Sequence, residues 1–260
     1  MNLGLRGKKA LITGGSKGIG FATAATFAKE GVQVAIVARN PDELEAAAAE
    51  IQSLSGQEVV WISADVSIEE EAQRVVEEVN RRLGGLDILV NNAGTFAAKP
   101  FGEVGTDAWT ADLDLKLFGA VHFARAALPH MQAAGGGAIV NVTAVGGKTP
   151  SASSLPTSVS RAAGLALTKA MSKDLAVSNI RVNAVCIGLV RSAQIERMWQ
   201  AKAPDTTWEE FARDPQHNIP LGRIGDAQEA ADVIAFLVSD RASYVTGTSV
   251  NIDGGMAAVL

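Results

Sequence analysis

Thr13-Gly14-Gly15-Ser16-Lys17-Gly18-Ile19-Gly20 decides how this chain reads. It follows a short apolar run, Lys8–Thr13, that reads as a strand, and it opens a helical stretch, Gly18–Gly31. Glycine at 14, 18 and 20 lets a backbone turn tightly and approach a pyrophosphate with no Cβ in the way. The helix start offers free N–H groups and a partial positive charge. Strand, glycine-rich turn and helix in this order indicate a dinucleotide-phosphate loop rather than an ordinary glycine-rich turn. Gly14, Ser16, Lys17, Gly18, Ile19 and Gly20 are the residues expected to line it.

The alternation continues from this loop to the far end of the chain. Strands are expected over Lys8–Thr13, Gln33–Val37, Glu58–Ser63, Leu86–Asn91, Ala138–Thr143, Ile180–Val185 and Ser249–Ile252. They are short, rich in Val and Ile, and continuous, as in strands covered on both faces. Helices are expected over Gly18–Gly31, Pro41–Leu54, Ile68–Leu83, Thr106–Ala134, Pro156–Val177 and Ala227–Val238. Pro41 followed by Asp42 and Glu43 has the composition of a helix first turn. Strand–helix alternation at this spacing implies right-handed crossovers, hence an α/β chain with a doubly wound, parallel, Rossmann-type sheet. Gly135–Gly137 reads as a helix exit, too short for a domain boundary. One domain spanning 1–260 is expected.

Composition bounds the function. The 260 residues can bury a substantial core, and 47% apolar with 20% charged residues argues against disorder. A net charge of −5 provides no basic field for nucleic acid. No apolar run approaches a membrane span. The single cysteine, Cys186, can form neither an internal disulfide nor a cysteine metal site, which fits a reducing compartment. MNLGLRGKK lacks the apolar stretch of a signal peptide, so a cytoplasmic protein is expected.

An acidic residue ending the second strand would accept the adenosine ribose hydroxyls of NAD. This chain has Ala38-Arg39 there. A guanidinium suits a 2′-phosphate, and Lys17 could add a second positive charge. NADP is therefore expected over NAD; the other reading leaves both cations as solvated surface.

With these residues in hand, the chain resembles the short-chain dehydrogenase/reductase family, over nearly its whole length. Thr13–Gly20 matches that family's cofactor loop, and Asp65-Val66 its adenine contact. Asn91-Asn92-Ala93-Gly94 matches the fourth-strand motif, which in the family steadies the sheet beside the cofactor. Ile180-Arg-Val-Asn-Ala184 matches the sixth strand. Ile187-Gly188 and Ser192 stand where the family has Pro-Gly and a Thr contacting the nicotinamide amide. Val245-Thr-Gly-Thr248 and Asp253-Gly-Gly255 match its C-terminal segment. The resemblance implies a sheet of about seven strands. It also implies a homodimer or homotetramer built on the helices at Thr106–Ala134 and Pro156–Val177.

The likeness fails at the active site. The family uses Asn, Ser, Tyr and Lys, with Tyr four residues before Lys, yet the only tyrosine here is Tyr244, in the C-terminal motif. Pro156-Thr-Ser-Val-Ser-Arg-Ala-Ala-Gly164 puts Thr157 at the tyrosine position and Arg161 at the lysine position. Ala144, with Thr143 before it, takes the serine position, and Lys116 takes the asparagine position.

These replacements change the proton chemistry. Reduction of a carbonyl by hydride needs a proton for the developing alkoxide, which a tuned phenol can give. Thr157 is a far weaker acid but can donate a hydrogen bond. Arg161 stays charged and could hold the ribose hydroxyls. Lys116, if it lies near Arg161 and partly buried, would have its pKa lowered and could act as general acid, with Thr157 or Thr143 orienting the carbonyl. Alternatively, Lys116 points to solvent or pairs with Asp112 or Asp114.

The remaining candidates read more plainly. His122 and His130 have no third ligand at metal spacing, so no metal is expected and surface or packing roles are favoured. His217 lies in a loop, Cys186 reads as a core thiol, and Asp87 as a local cap or pair. Met198, Trp199, Trp208 and Phe211, within 192–221, suggest an amphipathic lid over an apolar small-molecule substrate, or an oligomer contact. The chain is therefore expected to be an NADP(H)-dependent oxidoreductase acting on an alcohol or ketone. An inactive nucleotide-binding homologue or partner subunit, and a lyase or isomerase on the same fold, are the alternatives.

Overall fold

The computed structural model describes residues 2–260. Its seven strands are β1 (Lys9–Thr13), β2 (Gln33–Ala38), β3 (Val59–Ser63), β4 (Ile88–Asn91), β5 (Gly137–Ala144), β6 (Ile180–Ile187) and β7 (Ser249–Ile252). They form one sheet in the order β3-β2-β1-β4-β5-β6-β7, and every pairing is parallel. The helices are α1 (Gly18–Lys29), α2 (Pro41–Ser55), α3 (Glu69–Leu83), α4 (Thr106–Leu113), α5 (Gly119–Ala133), α6 (Thr157–Asp174), α7 (Ala193–Lys202), α8 (Trp208–Ala212) and α9 (Ala227–Val238).

Side-chain alternation along the strands supplies two cores. Ala10 and Ile12 of β1 face Phe27 of α1, Leu44 and Ile51 of α2, and Ile234 and Leu237 of α9. Leu11 between them faces the opposite layer, with Val75 and Val79 of α3 and Phe123 and Met131 of α5. A strand covered on both faces needs no polar side, which is why these runs read as continuous apolar stretches. Local signals hold at the helix ends. Asn40 caps α2 ahead of Pro41, accepting from the Asp42 N–H at 3.0 Å. Gly135 and Gly136 leave α5 at positive φ of 82° and 142°.

The long helix expected over Thr106–Ala134 is interrupted. A π-helical turn, Asp114–Phe118, separates α4 from α5 and carries Lys116 inward. The helix expected to reach Val177 ends at Asp174 and gives way to a 3₁₀ turn, Ala176–Ser178. β5 and β6 run past their expected ends because their pairing continues through Thr143–Cys186 and Ala144–Ile187. No helix among the described residues is long and apolar enough to cross a membrane.

The chain direction across the sheet switches between β1 and β4. The carboxyl ends of neighbouring strands there lead to opposite faces and leave a crevice. Thr13 and Asn91 end the two strands that flank it.

Candidate active site

The glycine-rich turn lies at this crevice and is held from below. The Asn92 side-chain amide donates to the carbonyls of Thr13 and Gly14, both at 3.0 Å. The Thr13 hydroxyl accepts from the N–H groups of Asn92 and Ala93, at 3.0 and 3.1 Å. Gly14 and Gly18 have φ of +64° and +55°. At Gly20 a Cβ would come within 2.1 Å of the Gly14 carbonyl oxygen, so only glycine fits. α1 starts with no side-chain cap at Lys17, leaving its first turn open to an anion.

The adenosine end is less as the sequence suggests. Lys17 is paired with Glu43 at 2.7 Å, so its charge is already partnered. Arg39 is exposed and has no side-chain hydrogen bond or ion pair among the described residues, which leaves its guanidinium available. The Ser67 hydroxyl, at 2.7 Å, holds the Asp65 carboxyl below the usual carboxylate range, helped by the Ser67 N–H and by Arg39. Asp65 is thereby kept as an acceptor. Val66 lines the inner cavity with Asn91 and Ala93. Gly188 abuts Asp253 so closely that a Cβ would come within 2.6 Å of its Cβ. Ser192 caps α7 and faces Gly18, where a Cβ would lie 3.7 Å from its own.

Two observations at the crevice suit a nicotinamide dinucleotide. The turn is closed so tightly that a Cβ at Gly14 would meet the Asn92 amide at 2.9 Å and one at Gly20 the Gly14 carbonyl at 2.1 Å, which leaves bare backbone at the open start of α1. Beside it, Asn91 Oδ1 and Arg161 Nε are buried with no partner, an acceptor and a donor left for a ligand. Asn91 spends its amide on Asn141, which in turn donates to Thr168, each at 2.9 Å. Arg161 donates to the Val142 carbonyl at 2.8 Å, and its Nη2 would lie 2.6 Å from a Cβ at Gly94. The chain's residues therefore fit this cofactor.

The four residues expected to do chemistry do not all converge. Lys116, Thr157 and Arg161 come together; Thr143 does not present its hydroxyl. The Thr143 hydroxyl donates to the Val185 carbonyl at 3.1 Å and lies 3.2 Å from Cys186 Sγ, spent on the neighbouring strand. The expectation that Thr143 could orient a substrate carbonyl is corrected by that geometry.

Lys116 is enclosed, its side chain showing 0% exposure. It pairs with Asp112, itself 3% exposed, and donates to the Thr157 hydroxyl at 2.9 Å. Both sequence readings of Lys116 thus meet in one residue: it is buried near Arg161 and it is paired with Asp112. Burial chiefly pulls its pKa below the usual lysine value. Arg161 adds to the fall, while the bond to Asp112 opposes it. With its side chain wholly enclosed, Lys116 is placed to act through the Thr157 hydroxyl to which it donates.

Thr157 is half-buried, the more accessible member of this pair. Its oxygen accepts from Lys116 Nζ and from the Ala97 N–H at 3.2 Å. A hydroxyl has two lone pairs and one hydrogen, so its hydrogen remains free to donate. The Ala97 loop is fixed to the start of α6 by paired backbone bonds between Lys99 and Leu155, at 2.7 and 3.2 Å. Sequence reading weighed Asp112 only as a structural partner and passed over Ser160, whose hydroxyl donates to Asp112 at 2.6 Å. The spacings Asp112-x-x-x-Lys116 and Thr157-x-x-Ser160 are the signals that pointed to them.

The segment 192–221 builds a small core of its own. Phe211 and Ala212 are buried with Ile224, and Ile195, Met198, Trp199, Trp208 and Ile219 pack against them. Arg191 lies over the Trp208 ring, 4.5 Å from its centroid. His217 meets the Phe211 ring edge-on and contacts the Phe211 carbonyl at 2.7 Å, a packing role. His122 stacks on Phe118. The Asp87 carboxylate accepts the Lys9 N–H at 2.8 Å, and Cys186 is buried.

The family model described as enoyl-(acyl carrier protein) reductase matches residues 14–257. The 3-oxoacyl-(acyl-carrier-protein) reductase FabG of Thermotoga maritima is 35% identical over 252 residues, 97% of this chain and 98% of that protein. L-sorbose reductase from Gluconobacter frateurii, solved with NADPH and L-sorbose, superposes with a TM-score of 0.95 at 35% identity, covering 100% of both chains. An NADPH-bound short chain oxidoreductase from Pseudomonas aeruginosa PAO1, described as containing an atypical catalytic center, gives a TM-score of 0.92 at 34% identity, over 97% of this chain and 98% of that one.

Proposed function

Because the chain belongs to the short-chain dehydrogenase/reductase family and is an NAD(P)-dependent oxidoreductase, we propose that it interconverts a ketone and its secondary alcohol with NADP(H), using Thr157 backed by Lys116 where the family has tyrosine. The observation that carries this reading is the Thr157 hydroxyl, whose lone pairs are filled by Lys116 and Ala97 while its proton is free. The dinucleotide is held by the Gly14–Gly20 cradle, Asn91 and Arg161, with Asp65 and Val66 at the adenine and Gly188 and Ser192 at the nicotinamide end. Bound there, NADPH supplies the hydride that goes to the carbonyl carbon. Thr157 gives its proton to the carbonyl oxygen as charge builds and takes a proton from Lys116. The ketone leaves as the alcohol, and Lys116 is left neutral until solvent recharges it through Thr157. The loop that meets Thr157 through the Ala97 N–H also carries Phe96, 70% exposed, which supports a substrate with an apolar body. The segment 192–221, whose Ser192 stands beside Gly18 of the phosphate loop, acts as the lid. The working form is a homodimer or homotetramer on the α4–α5 and α6 faces, where Phe118 and Val159 are exposed.

Calorimetric titration with NADPH and NADH, followed by NADPH oxidation over a panel of apolar ketones, tests this. Micromolar binding that favours NADPH, with ketone-dependent oxidation, is the expected result. Absence of binding to either nucleotide would overturn it. Arg39→Ala is expected to weaken NADPH by about tenfold, the value of one charge-assisted hydrogen bond, and to leave NADH unchanged. Equal loss for both nucleotides would remove Arg39 from the 2′-phosphate site.

A further inference from the structure

The cluster behind Thr157 holds two cations and one anion. Lys116 is faced by Asp112 from α4 and by Arg161 from α6. The strands behind the cavity bring Thr13, Asn91, Asn141 and Thr143, none of them charged. Arg161 does not touch Asp112; it bonds the Val142 carbonyl instead. The Asp112 carboxylate is divided, with Oδ1 on Lys116 Nζ and Oδ2 on the Ser160 hydroxyl at 2.6 Å. Ser160 lies 3.0 Å from the Thr157 carbonyl, one turn from the Thr157 hydroxyl that Lys116 also reaches. One side chain on α4 therefore fixes the cation on the π turn and the first turn of α6 together.

We propose that Asp112 is the positioning residue of this site: its carboxylate, shared between Lys116 and Ser160, holds the Lys116 ammonium against the Thr157 hydroxyl so that a proton can pass between them. Asp112 itself touches neither substrate nor cofactor cradle. Two buried cations without a counter-charge would repel, and the lysine is the one that can release its proton. With Asp112 gone, burial and Arg161 act on Lys116 unopposed, and it becomes neutral at a lower pH. The proposal rests on the reading of Lys116 as proton source, but it can be tested without turnover.

The experiment is a pH titration of the full chain labelled at lysine Cε and Nζ, followed by NMR, with the Lys116 resonance assigned by its absence from Lys116→Arg. In the unaltered protein Lys116 is expected to titrate below the other lysines. In Asp112→Asn it is expected to titrate lower again by about one pH unit or more, the size of effect a contacting charge exerts. An unchanged Lys116 titration overturns the proposal. Should Asp112→Asn fail to fold, aspartate Cγ labelling of the unaltered protein asks the same question. One carboxyl signal, absent from Asp112→Glu, should follow the Lys116 titration, and if no aspartate signal follows it the proposal falls. In turnover, Asp112→Asn should move the alkaline limb of kcat for reduction to lower pH while NADPH affinity stays constant. A merely structural role would lower kcat evenly at all pH. If Lys116→Met reduces ketones as fast as the unaltered enzyme, the proton-source reading fails, and the titration then reports on Asp112 alone.

Discussion

Lys116→Met is expected to abolish most ketone reduction, lowering kcat by about 10²- to 10⁴-fold, the range a positioned proton donor contributes. The change is close in length but carries no proton and no charge. It leaves Thr157 with a proton to give and nothing behind it to stabilise the alkoxide it would become. It also leaves Asp112, enclosed at 3% exposure, facing only the Ser160 hydroxyl and the distant charge of Arg161. Breaking one partner from a buried ion pair costs about 3–5 kcal/mol of stability. Kinetics must therefore be read on protein shown to be folded by its melting curve and by retained NADPH binding. The pH profile separates the two effects. Reduction needs Lys116 charged, so kcat should fall as pH rises through its lowered pKa, below the usual lysine range. Oxidation of the alcohol needs it neutral, so that rate should rise over the same interval. Both limbs should vanish in Lys116→Met. A folded variant with the same profile and rate as the unaltered enzyme would show that Lys116 has no part in the chemistry.

The half of this site that binds nucleotide was legible because its constraints are local. Gly14, Gly18 and Gly20 are required by the backbone path of the turn itself, and a turn between a strand and a helix is visible in sequence. The charges around it were less so. Lys17 meets Glu43 across two helices, and nothing in the spacing of the chain foretells that pairing. Thr143 shows the same limit within a strand. The strand itself was expected, ending at Thr143, but the hydroxyl's direction depends on register with β6, where Cys186 stands opposite. The interior of the active site was hidden chiefly by the π turn. A helical pattern over Thr106–Ala134 gives no sign that one turn widens at Asp114–Phe118. The spacing left open whether Lys116 pairs with Asp112 or Asp114 or points to solvent, whereas the helix carries Asp112 and Lys116 together into the protein. Burial turns a contact worth little in water into one that sets a protonation state.

Thr157→Val should uncouple the reaction from Lys116 without touching the cofactor. Valine matches threonine in shape, so the start of α6 and its backbone bonds from Lys99 are kept. The hydroxyl is lost, and with it the acceptor for Lys116 Nζ and for the Ala97 N–H. Each of those donors has other recourse: Nζ keeps Asp112, and Ala97 lies on a loop open to water. The structural cost is thus about 1–3 kcal/mol, that of unmade buried hydrogen bonds. The catalytic cost is larger, because the enclosed Nζ loses the hydroxyl through which it acts. We expect kcat to fall by about 10²- to 10⁴-fold, comparable with Lys116→Met, with the NADPH dissociation constant unchanged. Combined, the two substitutions should cost little more than either alone, since groups acting in series lose their effect together. Thr157→Ser, which restores a hydroxyl on the same backbone, should recover most of the rate. Losses that multiply in the double variant would mean that Lys116 and Thr157 act on the substrate by separate routes. That outcome would require an opening to Nζ, and its 0% exposed side chain provides none.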